Sequence, residues 1–333
     1  MQQQIKKERL RQAQMRQSQL RQRQVNAARA RAQARQAQMR QAQMRQALHL
    51  QRQNVMGMQT HKIQDKFAHN LINESKKNKI EKKDYNILYE NEKNKKLGNT
   101  IIYATHNTLE KMSKLLINNM GMIDITDIET IIVVISLTKI NDIVDKNKIC
   151  EYLINTLNKN IILIQDVTNL YYDFGKYKIG YEYILNKDKT HTKYLYLMND
   201  SVVIFKKQDI ISKEIKDHIN NVDLLGIIEN NEINDHYQSW WLIIKKNLFE
   251  YYFNNIILIN TKSKLSFGYI KRKIIEQNEV KLCNEIMKLY NTYSIYKMKS
   301  FIWNKQGTWA DFLKTINIYK KQLLSNYEFN NYY

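Results

Sequence analysis

The sequence predicts an α/β fold in which a mostly parallel β-sheet carries helices on both faces, preceded by a basic arm that is helical or disordered. Two observations predict the sheet. From residue 99 onward, short β-rich runs alternate with stretches of helical periodicity, and several of the runs are almost wholly apolar. A third observation predicts the arm, because eleven of the twelve arginines of the 333-residue chain lie within residues 1–60.

The arm combines strong positive charge with a short repeat. Residues 1–60 hold 13 Lys and Arg against one acidic residue, a net charge of +12 out of +21 for the whole chain. The unit Arg-Gln-Ala-Gln-Met recurs at Arg35–Met39 and Arg40–Met44. A five-residue step turns about 140° around a helix, so the apolar residues spiral and form no continuous face. This pattern indicates a solvated helix or a disordered arm and not a coiled coil, which needs a sustained heptad.

The next segment, residues 61–98, is rich in Lys and Asn and is predicted to be a charged linker that ends at Gly98. Clear β and α patterns begin only after this glycine. We therefore predict three parts in the chain. They are a Gln/Arg-rich low-complexity arm over residues 1–60, a linker over 61–98 and one folded domain over 99–333.

Four strands alternating with helices open the predicted domain. Each strand is a short β-rich run, and the intervening residues place apolar side chains at helical spacing. The predicted strands are Thr100–Thr105, residues 129–137, Asn160–Gln165 and Tyr194–Met198, and the helices are Leu109–Leu116, Ile149–Leu157 and Phe174–Ile184. Further strands are predicted at Asp223–Ile228 and Trp240–Ile244, and further helices at Lys245–Phe253, Ser266–Leu289 and Trp309–Leu324.

Several classes of protein are excluded by what the sequence lacks. Cys150 and Cys283 lie far apart without Cys or His at ligand spacing, which excludes a disulfide framework and a zinc finger. The turn Thr105–Thr108 contains no Gly, which excludes the dinucleotide fingerprint and the P-loop. No apolar run is long enough to cross a bilayer and no leader opens the chain, so a soluble cytoplasmic protein is expected.

Polar residues follow the predicted strands at the edge where open α/β sheets bind their ligands. They are His106 and Asn107 after the first strand, Asn169 and Asp173 after the third, and Asn199, Asp200 and Ser201 after the fourth. A carboxylate at the position of Asp200 suits a divalent metal that bridges the two phosphates of a nucleoside diphosphate. A turn or a helix cap is the structural alternative for this Asn-Asp-Ser sequence.

Three short motifs stand in a fixed order along the domain. They are Asn169-Leu-Tyr-Tyr-Asp173-Phe-Gly175, Tyr196-Leu-Met-Asn199-Asp200-Ser201 and Asp235-His236-Tyr-Gln238-Ser239. Order and spacing resemble the rhamnan synthesis protein F family of glycosyltransferases, and Asn278–Leu282 and Ile318–Leu324 are similar to later motifs of that family. The resemblance spans roughly residues 100–326. Two departures are Tyr171, where the family usually has Gly, and Asn317, where it usually has Pro.

The resemblance implies a GT-A-like fold with a nucleotide-sugar-binding sheet in its first half and an acceptor-binding second half. It also implies transfer of a sugar from a nucleoside-diphosphate sugar to a polysaccharide or glycan acceptor. In that setting Asp200 is expected to bind Mg²⁺ or Mn²⁺, assisted by Asn199 or Ser201. Asp173 is expected to accept hydrogen bonds from the nucleoside, beside His106 and Asn169. A helix cap is the structural alternative for Asp173.

Transfer with inversion also needs a general base for the acceptor hydroxyl. The resemblance places Glu279 in that role, with Asp235 as the competitor, while His236 and Gln238 are expected to line the acceptor or the diphosphate. The structural alternatives are an exposed helical Glu and a buried His that is merely hydrogen-bonded.

A rival function rests on the arm and not on the domain. A net charge of +12 over sixty residues binds any polyanion in a salt-dependent way. The protein would then be a nucleic-acid-binding or structural protein with an inactive transferase-like domain. The same charge would hold an enzyme at an anionic membrane surface, as a peripheral membrane protein.

Overall fold

A computed structural model describes residues 69–90, 96–124, 126–136, 146–187, 191–230, 234–262, 265–298, 309–316 and 318–320. The chain divides into two units, Met1–Phe67 and Ala68–Tyr333. All described residues belong to the second unit. The predicted arm and the residues after Lys320 lie outside the described residues.

The described residues form one large mixed sheet and a small two-stranded one. The strands in chain order are β1 (Tyr85–Glu90), β2 (Thr100–Thr105), β3 (Thr130–Ser136), β4 (Asn160–Asp166), β5 (Tyr194–Asn199), β6 (Val202–Ile204), β7 (Leu224–Asn230), β8 (His236–Tyr237), β9 (Trp241–Lys245), β10 (Thr292–Lys297) and β11 (Ile318–Lys320). The large sheet has the order β1-β4-β3-β2-β5-β9-β7-β10, with β8 beside β7, and β11 pairs with β6. Strands β4, β3, β2 and β5 are mutually parallel.

Helices cover both faces of the large sheet. They are α1 (Leu109–Gly121), α2 (Lys146–Leu157), α3 (Tyr172–Lys187), α4 (Asp209–His218), α5 (Lys246–Asn255), α6 (Phe267–Ile274), α7 (Leu282–Leu289) and α8 (Trp309–Thr315), with a π-helix at Ile275–Lys281 between α6 and α7. Apolar residues of α1, α2 and α4 share one core with one side of the sheet, and those of α3, α5, α6 and α7 share the other. The predicted fold class, a mostly parallel sheet with helices on both faces, is confirmed.

The central strands are apolar throughout because each of their faces meets a core. In β2, Ile101 and Tyr103 point into the core of α1 and α2, while Ile102 and Ala104 point into the core of α3. Helix α3 lies close against the sheet at Gly180, where a Cβ atom would stand 2.5 Å from the Ile102 side chain. The glycine is therefore required by the close approach of helix and strand.

The order of the strands creates a crevice at one point of the sheet edge. From β2 the chain runs outward through β3 to β4 and then returns to β5 on the other side of β2. Ala104 of β2 stands opposite Asn199 of β5, so the carboxyl ends of the two strands are level. In open α/β sheets such a switch point is where ligands bind.

The structure differs from the sequence expectation at both ends of the domain. Residues 85–90 of the predicted linker form β1, which pairs with β4 as an edge strand, so the sheet begins before residue 99. The helix predicted at Trp309–Leu324 ends at Thr315, and Ile318–Lys320 form β11 instead. The remaining predicted elements are present within a few residues, and β6, β8 and β10 are additional. Within the described residues, no helix has the length and apolar character needed to span a membrane.

Deletion variants test where the domain begins. A chain that starts at Ala68 should unfold cooperatively, because the second unit is intact. A chain that starts at Asn99 loses β1 together with the buried side chains of Ile80, Tyr85 and Leu97. We expect it to lose roughly 5 kcal/mol of unfolding free energy, at about 1.5–3 kcal/mol for each buried side chain. Urea denaturation of both variants provides the measurement, and equal stability would contradict the placement of β1.

Candidate functional site

Asp200 joins the ends of β2 and β5 at the crevice. Its Oδ2 atom accepts hydrogen bonds from Thr105 Oγ1 at 2.7 Å and from the backbone N–H of His106 at 3.3 Å. The side-chain amide of Asn107 donates to the same oxygen. Asn107 is in turn fixed by its backbone N–H, which donates to Thr105 Oγ1 at 3.1 Å. The carboxylate thus holds the glycine-free turn after β2 in one conformation.

His106 lies at the mouth of the crevice, and each of its ring nitrogens contacts another side chain. Nε2 lies 3.1 Å from Asp173 Oδ1, and Nδ1 lies 3.0 Å from Ser136 Oγ at the end of β3. The other oxygen of Asp173 accepts a hydrogen bond from Asn199 Nδ2 at 3.0 Å. About a third of the His106 side chain is exposed, 37%. His106 and Asp173 are therefore accessible to a ligand and are held by three different strand ends.

A buried lysine lies behind His106. Lys176 of α3 is fully buried, and its Nζ atom lies 3.5 Å from Asp166 Oδ2 and 3.2 Å from Asn169 Oδ1. His106 Nε2 is 3.5 Å away on the crevice side. Burial lowers the pKa of Lys176, and the charges of Asp166 and Asp173 oppose that shift. The lysine ties the end of β4 and its following loop to the ring of His106.

The loop after β4 takes an unusual backbone path. Asp166 Oδ1 accepts hydrogen bonds from Thr168 and from the backbone N–H of Asn169. Asn169 and Tyr172 have φ angles of 46° and 53°, in the left-handed region that residues other than Gly seldom adopt. A Cβ atom on Gly175 would lie 2.6 Å from the Tyr171 side chain. The Asp173-Phe-Gly175 motif therefore lets α3 begin directly against this loop.

Aromatic rings extend this side of the crevice. Tyr172 lies between His106, at 6.2 Å between ring centroids, and Phe267 at the start of α6, at 5.6 Å. Phe267 is largely exposed, at 65%. The three rings form one wall that a flat ligand can contact.

A second cluster surrounds Glu279 on the neighbouring half of the domain. Ser239 Oγ donates a hydrogen bond to Glu279 Oε2 at 2.6 Å, and His236 Nε2 lies 3.8 Å from Glu279 Oε1. Burial raises the pKa of Glu279, and the contacts with Ser239 and His236 oppose that shift. Glu279 lies in the π-helix, and helices of this kind often occur at functional sites. The adjacent Asn278 fixes the segment by a double hydrogen bond to the backbone of Ile257.

Tyr177 connects the two clusters. It lies one helical turn after Asp173, and its hydroxyl donates a hydrogen bond to the backbone carbonyl of Ser239 at 3.0 Å. The backbone N–H of Asn199 donates to the carbonyl of Trp240 at 3.2 Å, which fixes the end of β5 against the segment that precedes β9. The crevice and the Glu279 cluster therefore form adjoining parts of one site.

Most of the predicted site residues meet in these two clusters. His106, Asn169, Asp173, Asn199 and Asp200 share the crevice, and Ser201 borders it through its backbone N–H, which donates to Asn199 Oδ1 at 3.0 Å. His236 and Glu279 share the second cluster. Gln238 is half-buried, and its backbone N–H donates to the carbonyl of Ile228.

Two of the predicted residues have other surroundings than expected. Asp235 is fixed through its backbone carbonyl, which accepts a hydrogen bond from Asn284 Nδ2 at 3.2 Å. Glu279, and not Asp235, is the carboxylate in contact with Ser239 and His236. Asp173 is not the residue that precedes α3 but lies within its first turn, where its carboxylate contacts side chains at the ends of β2 and β5.

Several residues of the site were missed by the sequence analysis. They are Ser136, Asp166, Lys176, Tyr177 and the side chain of Ser239 in its contact with Glu279. Ser136 and Asp166 end parallel strands, so the rule that identified Asn199 and Asp200 also applies to them. Lys176 carries no such signal, because a lysine in a helix is ordinarily solvent-exposed.

The donor set does not fit a metal held by the protein alone. Asp200 Oδ2 already accepts three hydrogen bonds from the turn after β2. In the part of the chain that the structure describes, no group of three or more His, Cys, Asp or Glu side chains is arranged for a metal ion. Asp200 as a metal ligand therefore stays a prediction, and this arrangement does not favour it.

Comparison with known proteins gives partial matches. No protein-family model matches the chain. An alignment of 151 positions, which covers 42% of the chain, shows 31% identity to "Uncharacterized protein y4gN" of Sinorhizobium fredii (strain NBRC 101917 / NGR234). The match covers 36% of that relative, so the chain spans about a third of its length.

Among solved structures, the chain is similar to 4-diphosphocytidyl-2C-methyl-D-erythritol synthase from Anaerococcus prevotii DSM 20548. That match has 9% identity and a TM-score of 0.34, and it covers 60% of this chain and 90% of the other. The chain is also similar to S. aureus TarS 1-349 in complex with UDP. Here the identity is 12% and the TM-score 0.32, over 54% of this chain and 70% of the other.

The ion pair behind the crevice leads to a prediction about stability. Asp166→Asn leaves the Lys176 ammonium buried without its carboxylate, so we expect a loss of about 3 kcal/mol or more of unfolding free energy. The matched control is Asp217→Asn, which removes the carboxylate of an exposed ion pair with Lys213 and should leave stability unchanged. Urea denaturation measures both, and equal effects of the two variants would contradict the structural role of Asp166.

Proposed function

We propose that the chain is a glycosyltransferase that moves a sugar from a nucleoside-diphosphate sugar to a polysaccharide or glycan acceptor. The observation that carries the proposal is the convergence of predicted donor-site residues at the switch point between β2 and β5, beside a buried carboxylate. The resemblance to the rhamnan synthesis protein F family supports it, because the family motifs supply residues to both clusters. The motif residues are Asn169, Asp173, Asn199, Asp200, His236 and Ser239.

The crevice would hold the donor. His106 and Asp173 are accessible polar groups, and the wall of His106, Tyr172 and Phe267 offers flat surfaces for a base or a sugar ring. Asp173 would accept hydrogen bonds from the nucleoside, and His106 would face the diphosphate of the donor. Asp200 would act by holding the turn that carries His106. If Mg²⁺ or Mn²⁺ takes part, it would have to enter with the diphosphate, which would supply oxygen ligands.

A panel of nucleoside diphosphates and their sugars tests the donor site. We expect one nucleoside class to raise the thermal unfolding temperature of the wild type, because a ligand that binds only the folded state stabilises it. Asp173→Ala should weaken this binding about tenfold or more, which corresponds to the loss of one charge-assisted hydrogen bond of roughly 1.5–3 kcal/mol. Calorimetry measures the affinities.

The same titrations in EDTA and in Mn²⁺ define the role of Asp200. Asp200→Ala should weaken binding under both conditions, because the turn after β2 loses its acceptor. A loss confined to Mn²⁺ would support a metal ligand instead. Unchanged affinity in both the Asp173 and Asp200 variants would place the donor elsewhere.

Glu279 is the proposed general base. The proton of the acceptor hydroxyl would pass to a Glu279 carboxylate oxygen as the acceptor oxygen bonds to the anomeric carbon. The bond from that carbon to the diphosphate oxygen would break, and the diphosphate would leave with the electron pair. Burial raises the pKa of Glu279 and so brings it nearer to neutrality, which suits a base that works at physiological pH.

Glu279→Gln tests this role. The amide keeps the shape of the side chain but cannot take the proton, so transfer should fall by about 10²-fold or more while donor affinity persists. Asp235→Asn is the matched control and should change transfer much less, because the contact that holds Asp235 is made by its backbone carbonyl. Full activity in Glu279→Gln together with loss in Asp235→Asn would reverse the assignment.

The basic arm supports a second candidate function, the binding of a polyanion. The specific observation is the net charge of +12 over residues 1–60. The chain that starts at Ala68 should elute from heparin at lower salt than the full chain, since fewer counterions are released on binding. Nucleic acid and anionic membranes share this chemistry, and vesicles with and without anionic lipid distinguish them.

A further inference from the structure

The buried contact between His236 and Glu279 constrains where their protons are. His236 Nδ1 lies 2.7 Å from the backbone carbonyl oxygen of Asn234. A carbonyl only accepts hydrogen bonds, so Nδ1 carries a hydrogen. In a neutral ring the lone pair is then on Nε2, the nitrogen that faces Glu279 Oε1 at 3.8 Å. A neutral His236 would therefore turn a lone pair toward a carboxylate oxygen.

At 3.8 Å the two atoms form an ion contact and not a hydrogen bond, and the contact is attractive only when one of the two groups is protonated. Both side chains are almost fully buried, 4% exposed for His236 and 10% for Glu279, so solvent screens their interaction little. A single proton on either group converts the contact into an attractive one. The Ser239 hydroxyl donates to Glu279 Oε2 at 2.6 Å, and an ionised carboxylate provides the acceptor that this bond needs, which leaves the proton for His236.

We propose that the single proton of the His236–Glu279 pair resides on His236, and that the resulting imidazolium keeps Glu279 ionised and oriented as the base. This inference rests on the proposed function for its catalytic meaning, but the location of the proton does not. His236 is then a positioning residue that acts through Glu279. The sequence analysis expected His236 to line the acceptor or the diphosphate, and the proposal gives it a role through Glu279 instead.

In the described part of the chain, the other groups around the pair supply no positive charge that would stabilise the ionised form of Glu279. Asp173 adds a second negative charge near Glu279. Tyr177, Tyr252 and Cys283 also face Glu279, and burial raises the pKa of each, for Cys283 to about 12. These three groups are therefore neutral at physiological pH and compensate no charge. His236 supplies the positive charge that opposes the desolvation of Glu279.

Nitrogen NMR of the free protein labelled at histidine tests the location of the proton. The His236 signal is identified by its loss in His236→Gln, or in His236→Asn should the first variant not fold. We expect both ring nitrogens of His236 to carry a hydrogen in the wild type. In Glu279→Gln, measured under the same conditions, the Nε2 signal should move toward that of a neutral ring, since the opposite charge is gone.

The chain offers a matched control pair at its surface. His218 Nε2 lies 3.5 Å from Glu214 Oε2, but the side chains are 37% and 26% exposed. Glu214→Gln should therefore change the Nε2 signal of His218 less than Glu279→Gln changes that of His236. A neutral His236 ring in the wild type would overturn the proposal, and this measurement decides the matter even if Glu279→Gln does not fold.

The pH dependence of transfer tests the role of His236 separately from the proposed glycosyltransferase function. His236→Gln should move the acid limb of the pH profile to higher pH, because Glu279 loses the cation that favours its ionised form. An unchanged acid limb would overturn the role of His236 in catalysis. If no nucleotide sugar supports transfer by the wild type, the proposed function fails, while the NMR result still decides whether His236 carries the proton.

Discussion

The buried ammonium of Lys176 is the charge around which the crevice is built. A fully buried charge is costly unless it is paired and hydrogen-bonded, and here Asp166 and Asn169 supply the partners. These contacts fix the loop after β4, in which two residues have positive φ angles. The same ammonium approaches His106 from behind, so an accessible side chain of the crevice stands against a fixed support. The end of β4 and the turn after β2 are thereby tied together through one atom.

Asp200 ties the end of β5 to the turn after β2, as Lys176 ties the end of β4 to it. Its carboxylate gathers three donors from the turn after β2, and Thr105 belongs both to that set and to the strand. Asp200 thereby satisfies donors of a turn that contains no glycine and fixes the path of that turn. The polar residues at the strand ends therefore satisfy one another, while His106 and Asp173 keep part of their side chains exposed in the crevice.

The sequence predicted the central sheet because its strands are buried on both faces and alternate with helices. The place of Asn199, Asp200 and His106 in the crevice followed from their positions after strands. Prediction failed where the structure depends on contacts across the chain. Strand β1 is a short run inside the Lys- and Asn-rich segment 61–98, and β11 follows a helical pattern, but pairing with β4 and β6 makes them strands. The burial of Lys176 follows from the close approach of α3 to the sheet, and no local pattern encodes it.

The crevice and the Glu279 cluster differ in the groups that surround their charged side chains. In the crevice, Lys176 is held by a carboxylate and an amide, and Asp200 by three donors, so these charges are fixed. Glu279 is held by the hydroxyl of Ser239 and lies beside the imidazole of His236. The carboxylate proposed as the base thus differs from Asp200, which is surrounded by donors of the turn after β2. Tyr177 links the Glu279 cluster to the crevice. Its hydroxyl donates to the backbone carbonyl of Ser239, and its helix also carries Asp173 and Lys176.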